Sequence, residues 1–156
     1  MSPHPALPDN CTVRPAQPTD RWRLRKMVFG ARLDPTQILW HQFWVIECDG
    51  EVVACGQLRN YAEAQELGSL VVNSAWRNRG LGTYLSLHLI QQAEKPLYLE
   101  CLGDSLVQFY RRLGFTPVEW QALPRSLKWK FGLTQVAATL FRLPIALMQY
   151  QPKLEP

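Results

Sequence analysis

The order of apolar runs along the chain predicts an α/β fold built on a mixed sheet. Two β-rich runs between residues 43 and 58 flank Asp49-Gly50, which is a strong signal for a two-residue hairpin turn. A third run, at residues 66–72, leads through a glycine-containing loop into a segment with helical spacing at residues 80–94. Strands therefore alternate with helices, as they do in α/β domains.

The remaining patterns extend this order in both directions. Residues 12–14 predict a first strand, and Pro18-Thr19-Asp20 predicts the start of a helix that runs to about residue 29. Beyond residue 94 we expect a strand, a short helix, a strand, a helix and a last strand. Their ranges are 97–102, 105–113, 115–121, 133–141 and 145–150.

Length and composition indicate one globular domain. The chain has 156 residues, of which 47% are apolar and 19% charged. We expect a flexible N-terminal tail at residues 1–10, a single domain at residues 11–150 and a C-terminal tail at residues 151–156. The first ten residues lack the pattern of a secretion signal, and the apolar stretch at residues 132–150 is interrupted before it could span a membrane. A cytoplasmic protein without a membrane partner is expected.

The net charge of +4 and the pI near 9.0 suit an anionic ligand such as a phosphate. A nucleic-acid binder usually carries dense basic patches, and this modest positive charge does not indicate such patches. No nucleic-acid partner is therefore expected.

The four cysteines show no metal-binding spacing, and we expect no metal site. The hairpin register places Cys48 opposite Glu51 and Cys55 opposite Trp44, which keeps these two thiols apart. All four cysteines are expected to be reduced and buried. The tryptophans at positions 22, 40, 44, 120 and 129 are expected to serve the core.

The loop at residues 77–83 is the strongest candidate for a ligand site. It lies between an apolar strand and an amphipathic helix, where backbone N–H groups and the helix dipole can hold a phosphate. Its glycines allow the backbone to come close to a bound ligand. It is not a Rossmann fingerprint, because Leu85 stands where the third glycine is needed, and no Gly-Lys-Ser/Thr follows as in a P-loop.

Two motifs resemble those of a known family. The run LVVNSAWRNRGLG, at residues 70–82, resembles the acetyl-CoA motif of the GNAT N-acetyltransferases, an apolar strand followed by Arg/Gln-x-x-Gly-x-Gly/Ala. The run FYRRLGF, at residues 109–115, resembles the family's second hallmark, a Tyr four residues before a Gly-Phe pair. The likeness covers roughly residues 12–115. One position departs from the family, since Gly103 stands where an Asn is common.

The resemblance implies a GNAT-type acyltransferase fold, with a mixed and mostly antiparallel sheet flanked by helices. It also implies an N-acetyltransferase that moves an acetyl group from acetyl-CoA to a primary amine by direct attack in a ternary complex. The acceptor, a small molecule or a protein amine, stays open, as does a homodimer. The alternative is a non-catalytic acyl-CoA-binding regulatory module, which the fold alone does not exclude.

The resemblance assigns cofactor binding to three strand residues and to the loop. In the family, the pantetheine arm pairs with the backbone of the strand, and the loop holds the pyrophosphate. The corresponding residues are Leu70, Val71, Val72, Arg77, Asn78, Arg79, Gly80, Leu81, Gly82 and Thr83.

Two residues are candidates for proton transfer. Tyr110 matches the family's general acid, and a neutral phenol can donate a proton to the departing thiolate, although a core Tyr is the alternative. Glu66 matches a strand glutamate that serves as base in the histone-acetylating branch. Alternation along the strand places Glu66 on one face with Gly68 and Leu70, and Gly68 would leave room for a substrate. A solvated Glu at a strand end is an equally good interpretation.

Overall fold

The structure, a computed structural model, describes residues 5–152, so the outer parts of the two predicted tails lie outside the described residues. Seven strands and four α-helices occur in that range, and they are numbered in chain order. The strands are β1 Cys11–Pro15, β2 Phe43–Cys48, β3 Glu51–Asn60, β4 Gln65–Val72, β5 Leu97–Leu102, β6 Phe115–Pro117 and β7 Ile145–Tyr150. The helices are α1 Arg21–Gly30, α2 Leu81–Gln92, α3 Asp104–Arg112 and α4 Arg125–Phe141.

The chain divides into two compact units. The first holds residues up to 59 together with residues 67–92, and the second holds residues 60–66 and those from 93 onward. In the first unit the strand order is β1-β2-β3-β4, and in the second it is β4-β5-β7-β6, so β4 contributes residues to both. The pair β4/β5 is parallel, whereas β1/β2, β2/β3, β5/β7 and β6/β7 are antiparallel. The predicted α/β class is confirmed.

Each unit has its own apolar cluster. In the first, Leu24 and Val28 of α1 are completely buried against strand residues that include Phe43 and Val45 of β2. In the second, Leu127 and Phe131 of α4 pack with side chains of β5 and β7, among them Tyr98 and Leu147. Burial of apolar side chains on one face of each helix is what fixes α1 and α4 in place.

The β2/β3 hairpin forms where Asp49-Gly50 predicted it, but its register differs. Cys48 pairs with Glu51 as expected, whereas Cys55 pairs with Val45 rather than with Trp44. A bulge between Ile46 and Glu47 shifts the ladder by one residue. The two-residue turn fixes the register only as far as the bulge.

The expectation of four reduced cysteines is wrong for two of them. Cys11 of β1 pairs directly with Cys48 of β2, and the two form a disulfide with a Cα–Cα distance of 4.1 Å. Cys55 and Cys101 are free thiols, and both are buried as expected. The turn signal indicates only the hairpin partner of Cys48, Glu51, whereas the disulfide partner lies on β1, the neighbouring strand on the other side of β2.

The C-terminal third shows the largest differences from the predicted elements. The predicted strand at residues 115–121 ends at Pro117, because the chain turns there toward α4, which begins at Arg125 rather than at residue 133. Three tryptophans expected in the core are exposed, Trp22 by 79%, Trp129 by 86% and Trp120 by 36%. Within residues 5–152, no helix combines the length and the apolar character that a membrane span requires.

Candidate active site

The loop at residues 77–83 turns the chain from β4 into α2. Asn78 and Gly80 have positive φ angles of 62° and 78°, a conformation that Asn tolerates and Gly adopts at little cost. The first hydrogen bond of α2 runs from the Tyr84 N–H to the Gly80 carbonyl, at 3.0 Å. The N–H groups of residues 81–83 therefore lie in the first helical turn, where no intrahelical acceptor is available. Together with the helix dipole, they form a place for an anion.

The loop is exposed up to Gly80, where the N-terminal segment approaches it: Pro5 Cβ lies 3.6 Å from the position of a Cβ on Gly80. Arg77 to Gly80 are exposed, and the Arg77 Nε donates to the Val72 carbonyl at 3.3 Å. The Arg79 guanidinium lies over the Trp76 ring at 4.7 Å. A Cβ atom built on Gly82 would lie 3.6 Å from Val72 Cγ2, which is an ordinary contact. The protein itself therefore accepts a small side chain at Gly82.

A groove of about 370 Å³ lies beside the loop, between α1 and the end of β4. Three cations line it, Arg23, Lys26 and Arg77, and no carboxylate is among its described lining residues. Arg23 is also bound to Glu51 at 2.7 Å, so part of its charge is offset. The groove is nevertheless positive, which suits a ligand that carries phosphate groups.

The ladder between β4 and β5 is short. Its register pairs Gln65 with Leu97 and Glu66 with Tyr98. Residues 70–72, the candidates for pantetheine binding, lie in the part of β4 beyond these two pairs.

A bulge in β4 overturns one expectation about its faces. Ser69 has a positive φ of 49°, so the alternation breaks there. The Arg59 guanidinium donates to Ser69 Oγ at 3.1 Å and lies 2.7 Å from the position of a Cβ on Gly68. A Cβ on Gly56 of the neighbouring strand would instead meet Leu70 Cδ1 at 3.2 Å. Gly68 and Leu70 therefore do not share a face, and the space at Gly68 is filled by Arg59.

Glu66 is almost completely buried, with 2% of its surface exposed. Its Oε1 and Oε2 accept hydrogen bonds from Lys130 Nζ of α4 at 2.8 and 3.1 Å, and its Oε2 also accepts from the Tyr61 hydroxyl at 3.0 Å. Lys130 itself is 9% exposed, so this is a buried ion pair. The interpretation of Glu66 as a solvated strand-end residue is wrong. A lysine 64 residues away in an apolar helix gave no sequence signal of this pairing.

Tyr110 lies in an aromatic cluster at the end of α3. Its ring meets the rings of Phe109 and Phe115 edge to face, with centroids 5.0 and 5.6 Å away. Burial, and to a smaller extent the neighbouring Cys101, raises the pKa of the Tyr110 phenol above its usual range. The phenol is therefore neutral at pH 7 and able to donate a proton.

The site residues predicted from the sequence are divided between the two compact units. The loop and residues 70–72 belong to the first unit, and Glu66 and Tyr110 belong to the second. Within the second unit, Glu66 is held by β4 and α4, whereas Tyr110 is held by α3 and β6. Among residues 5–152, no three His, Cys, Asp or Glu side chains lie close enough together to hold a metal ion.

Comparison with known proteins identifies the family. Residues 40–117, half of the chain, match the family described as acetyltransferase (GNAT) domain. The chain belongs to the GNAT family. The match spans the loop at residues 77–83 and Tyr110, so both motifs of this GNAT chain lie inside the matched region.

Relatives of this GNAT chain include an amino-acid acetyltransferase of Vibrio cholerae, which is 29% identical over 92 residues. That match covers 56% of this chain and 21% of the Vibrio protein. The chain therefore spans about a fifth of the curated relative that it matches.

Two solved structures confirm the GNAT-type fold. N-acetylglutamate synthase from Neisseria gonorrhoeae, complexed with coenzyme A and N-acetyl-glutamate, has a TM-score of 0.72 at 18% identity, over 94% of this chain and 36% of that one. A Mycobacterium tuberculosis protein in complex with CoA also has a TM-score of 0.72, at 19% identity, over 89% of this chain and 98% of that one. At these identities the likeness shows the fold alone.

The buried ion pair of this GNAT chain predicts a strong effect of Lys130→Met on stability. Removing the ammonium breaks the buried ion pair of Lys130 with Glu66, and loss of one partner of such a pair costs about 3–5 kcal/mol. Chemical denaturation measures the free energy of unfolding. The control is Lys128→Met on the same helix, whose ammonium donates only to the exposed Gln121 carbonyl and should change stability by less than about 1 kcal/mol. Equal stability of the two variants would show that the ion pair does not hold α4.

Proposed function

We propose that this chain is an N-acetyltransferase that moves an acetyl group from acetyl-CoA to the primary amine of a small acceptor. The reaction is direct attack in a ternary complex, and residues 11–150 form the catalytic domain. The observation that carries the proposal is the turn at residues 77–83, whose bare N–H groups and open surface suit a pyrophosphate. Family membership supports the same reaction class.

The binding of acetyl-CoA is assigned to two parts of the first unit. The N–H groups of residues 81–83 bind the pyrophosphate oxygens, and Arg77 and Arg79 add positive charge at the same exposed turn. The backbone of residues 70–72 hydrogen-bonds to the amide groups of the pantetheine arm. This role needs strand N–H and C=O groups outside the ladder to β5, which the short ladder supports.

The chemistry requires one proton to leave the amine and one to reach the sulfur. The neutral amine nitrogen attacks the carbonyl carbon of the thioester, the C–S bond breaks, and CoA leaves as a thiolate. Tyr110 is the proposed donor of a proton to that thiolate, because its phenol is neutral at pH 7 and carries a proton that it can give up. The amine proton is transferred to a base, and the phenol recovers its proton from solvent.

Glu66 is the proposed base, and its surroundings determine how a proton reaches it. Lys130 and Tyr61 already donate hydrogen bonds to the carboxylate, so an amine proton arrives through a group that touches it. Tyr61 is half-buried, and its hydroxyl can take a proton while it passes its own to Glu66. Tyr61 is therefore proposed as a relay between the amine and Glu66.

The acceptor is proposed to be the amino group of an amino acid. The support is that one relative is named an amino-acid acetyltransferase and that a protein of the same fold was solved with N-acetyl-glutamate.

Gly82→Asp should weaken acetyl-CoA binding by a hundredfold or more, about 3 kcal/mol, because it adds a negative charge where the pyrophosphate is proposed to bind. Isothermal titration calorimetry measures the affinity. Gly82→Ala is the matched control, since a Cβ fits against Val72, and its loss of affinity should be much smaller. Unchanged affinity in folded Gly82→Asp would place the pyrophosphate elsewhere.

Tyr110→Phe should reduce kcat by roughly 10²–10⁴-fold, the usual contribution of a positioned acid, while acetyl-CoA affinity stays nearly constant. The ring remains in its aromatic cluster, so the melting temperature should change little. Tyr150→Phe is the control, because it removes a phenol from a ring that packs on the same Phe115. Steady-state kinetics on an accepted amine gives the result. A Tyr110→Phe enzyme as fast as Tyr150→Phe would make Tyr110 a packing residue.

Glu66→Gln should lower kcat by about 10²-fold without weakening acetyl-CoA binding, and Tyr61→Phe should change kcat in the same direction. Both losses should appear at every pH at which the wild type turns over, because the base takes a proton from the attacking neutral amine in each turnover. The pH dependence of kcat, measured together with melting curves, separates this effect from a loss of folded protein. If both variants keep the wild-type rate across the pH range, the amine loses its proton to water instead.

A further inference from the structure

The helix α4 has two apolar faces, and the core explains only one of them. Its inner face carries Leu127, Phe131 and Ala138, which are buried. On the opposite side, Trp129 and Leu133 are more than four-fifths exposed. The face of a surface helix opposite its buried face is normally polar, so an apolar outer face indicates that something covers it.

The exposed apolar residues of α4 and of the segment that follows it are called the outer stripe. They are Trp129, Leu133, Val136, Leu140, Phe141 and Leu143. The first four are spaced by four, three and four residues, which is the spacing that helices use to pack along one another.

The area of the outer stripe matches one half of a stable protein interface. A fully exposed aromatic side chain presents roughly 150–250 Å², so the six residues at their exposed fractions present on the order of 700 Å². The largest apolar patch of an ordinary monomer is about 300–600 Å². A standard interface buries about 800 Å² of each partner. The outer stripe is therefore large for a monomer and sufficient for a dimer.

The shape of the stripe suits a second copy of the same surface. Gly132 interrupts the line of large side chains, and a recess of about 610 Å³ opens there, between Trp129 and Leu133. The stripe thus offers both protruding side chains and a recess large enough for one of them. A two-fold interface needs such self-complementarity, because each copy presents the same patch to the other. Aromatic residues seated in recesses are also the usual centres of interface energy.

We propose that the outer stripe is the surface through which two copies of this chain associate about a two-fold axis. A large side chain of the stripe in each copy occupies the recess at Gly132 of its partner. The cations near the recess, Arg125 and Lys128, remain at the rim of the interface, where charged groups stay in contact with water. This association does not depend on the proposed acetyl transfer.

Sedimentation equilibrium of the full chain at micromolar concentrations tests the proposal. The wild type should sediment with twice the monomer mass of 18.0 kDa. Leu133→Glu and Leu140→Glu place a charge in the stripe and should weaken association by about a hundredfold. Because both side chains are exposed in one copy, the melting temperature of the isolated monomer should not fall.

Leu106→Glu is the matched control. Leu106 is 42% exposed on α3, outside the stripe, so the same substitution there should leave the dimer intact. A monomeric wild type, or a Leu133→Glu variant that stays dimeric, would overturn the proposal. Cosedimentation of a monomeric wild type with anionic phospholipid vesicles would assign the stripe to a membrane surface instead.

Discussion

The function proposed for this chain depends on the turn that joins β4 to α2. Two residues with positive φ, Asn78 and Gly80, reverse the chain within a few residues. As a result, α2 begins at Leu81 with N–H groups that have no acceptor within the helix. An unsatisfied donor costs free energy when water is excluded, so an anion that supplies acceptors there is bound favourably. The strand before the turn and the helix after it hold these donors in place.

The buried pair of Glu66 and Lys130 connects β4 with α4. The sequence pattern predicted that this helix begins at residue 133, whereas it begins at Arg125. A buried ion pair contributes little net stability compared with apolar packing, but the loss of one partner is costly. The pair therefore favours the position of α4 that brings Lys130 to the Glu66 carboxylate. The same contacts limit how Glu66 can take part in proton transfer, because two donors already occupy it.

Most elements could be predicted from local patterns, and the errors arose where distant segments interact. The hairpin turn, the glycine loop and the helical spacing after it are signals contained in a few neighbouring residues. The disulfide of Cys11 with Cys48 required the β1/β2 register, and the bulge at Ser69 required the packing of Arg59. Neither is visible in a local pattern. Trp129 was assigned to the core by residue type, whereas only the orientation of α4 shows that it is exposed.

The function proposed for this chain is catalysis of acetyl transfer, not merely the binding of an acyl-CoA. The most direct measurement is the release of free CoA from acetyl-CoA by the purified chain across a panel of amino acids and other primary amines. Mass spectrometry of the acceptor should accompany it, to show that the acetyl group has moved to nitrogen. A transferase should release CoA only when an amine is present, in an amount equal to that of the acetylated product. Tight binding of acetyl-CoA with no acetylated amine from any acceptor would contradict it and would indicate a binding module.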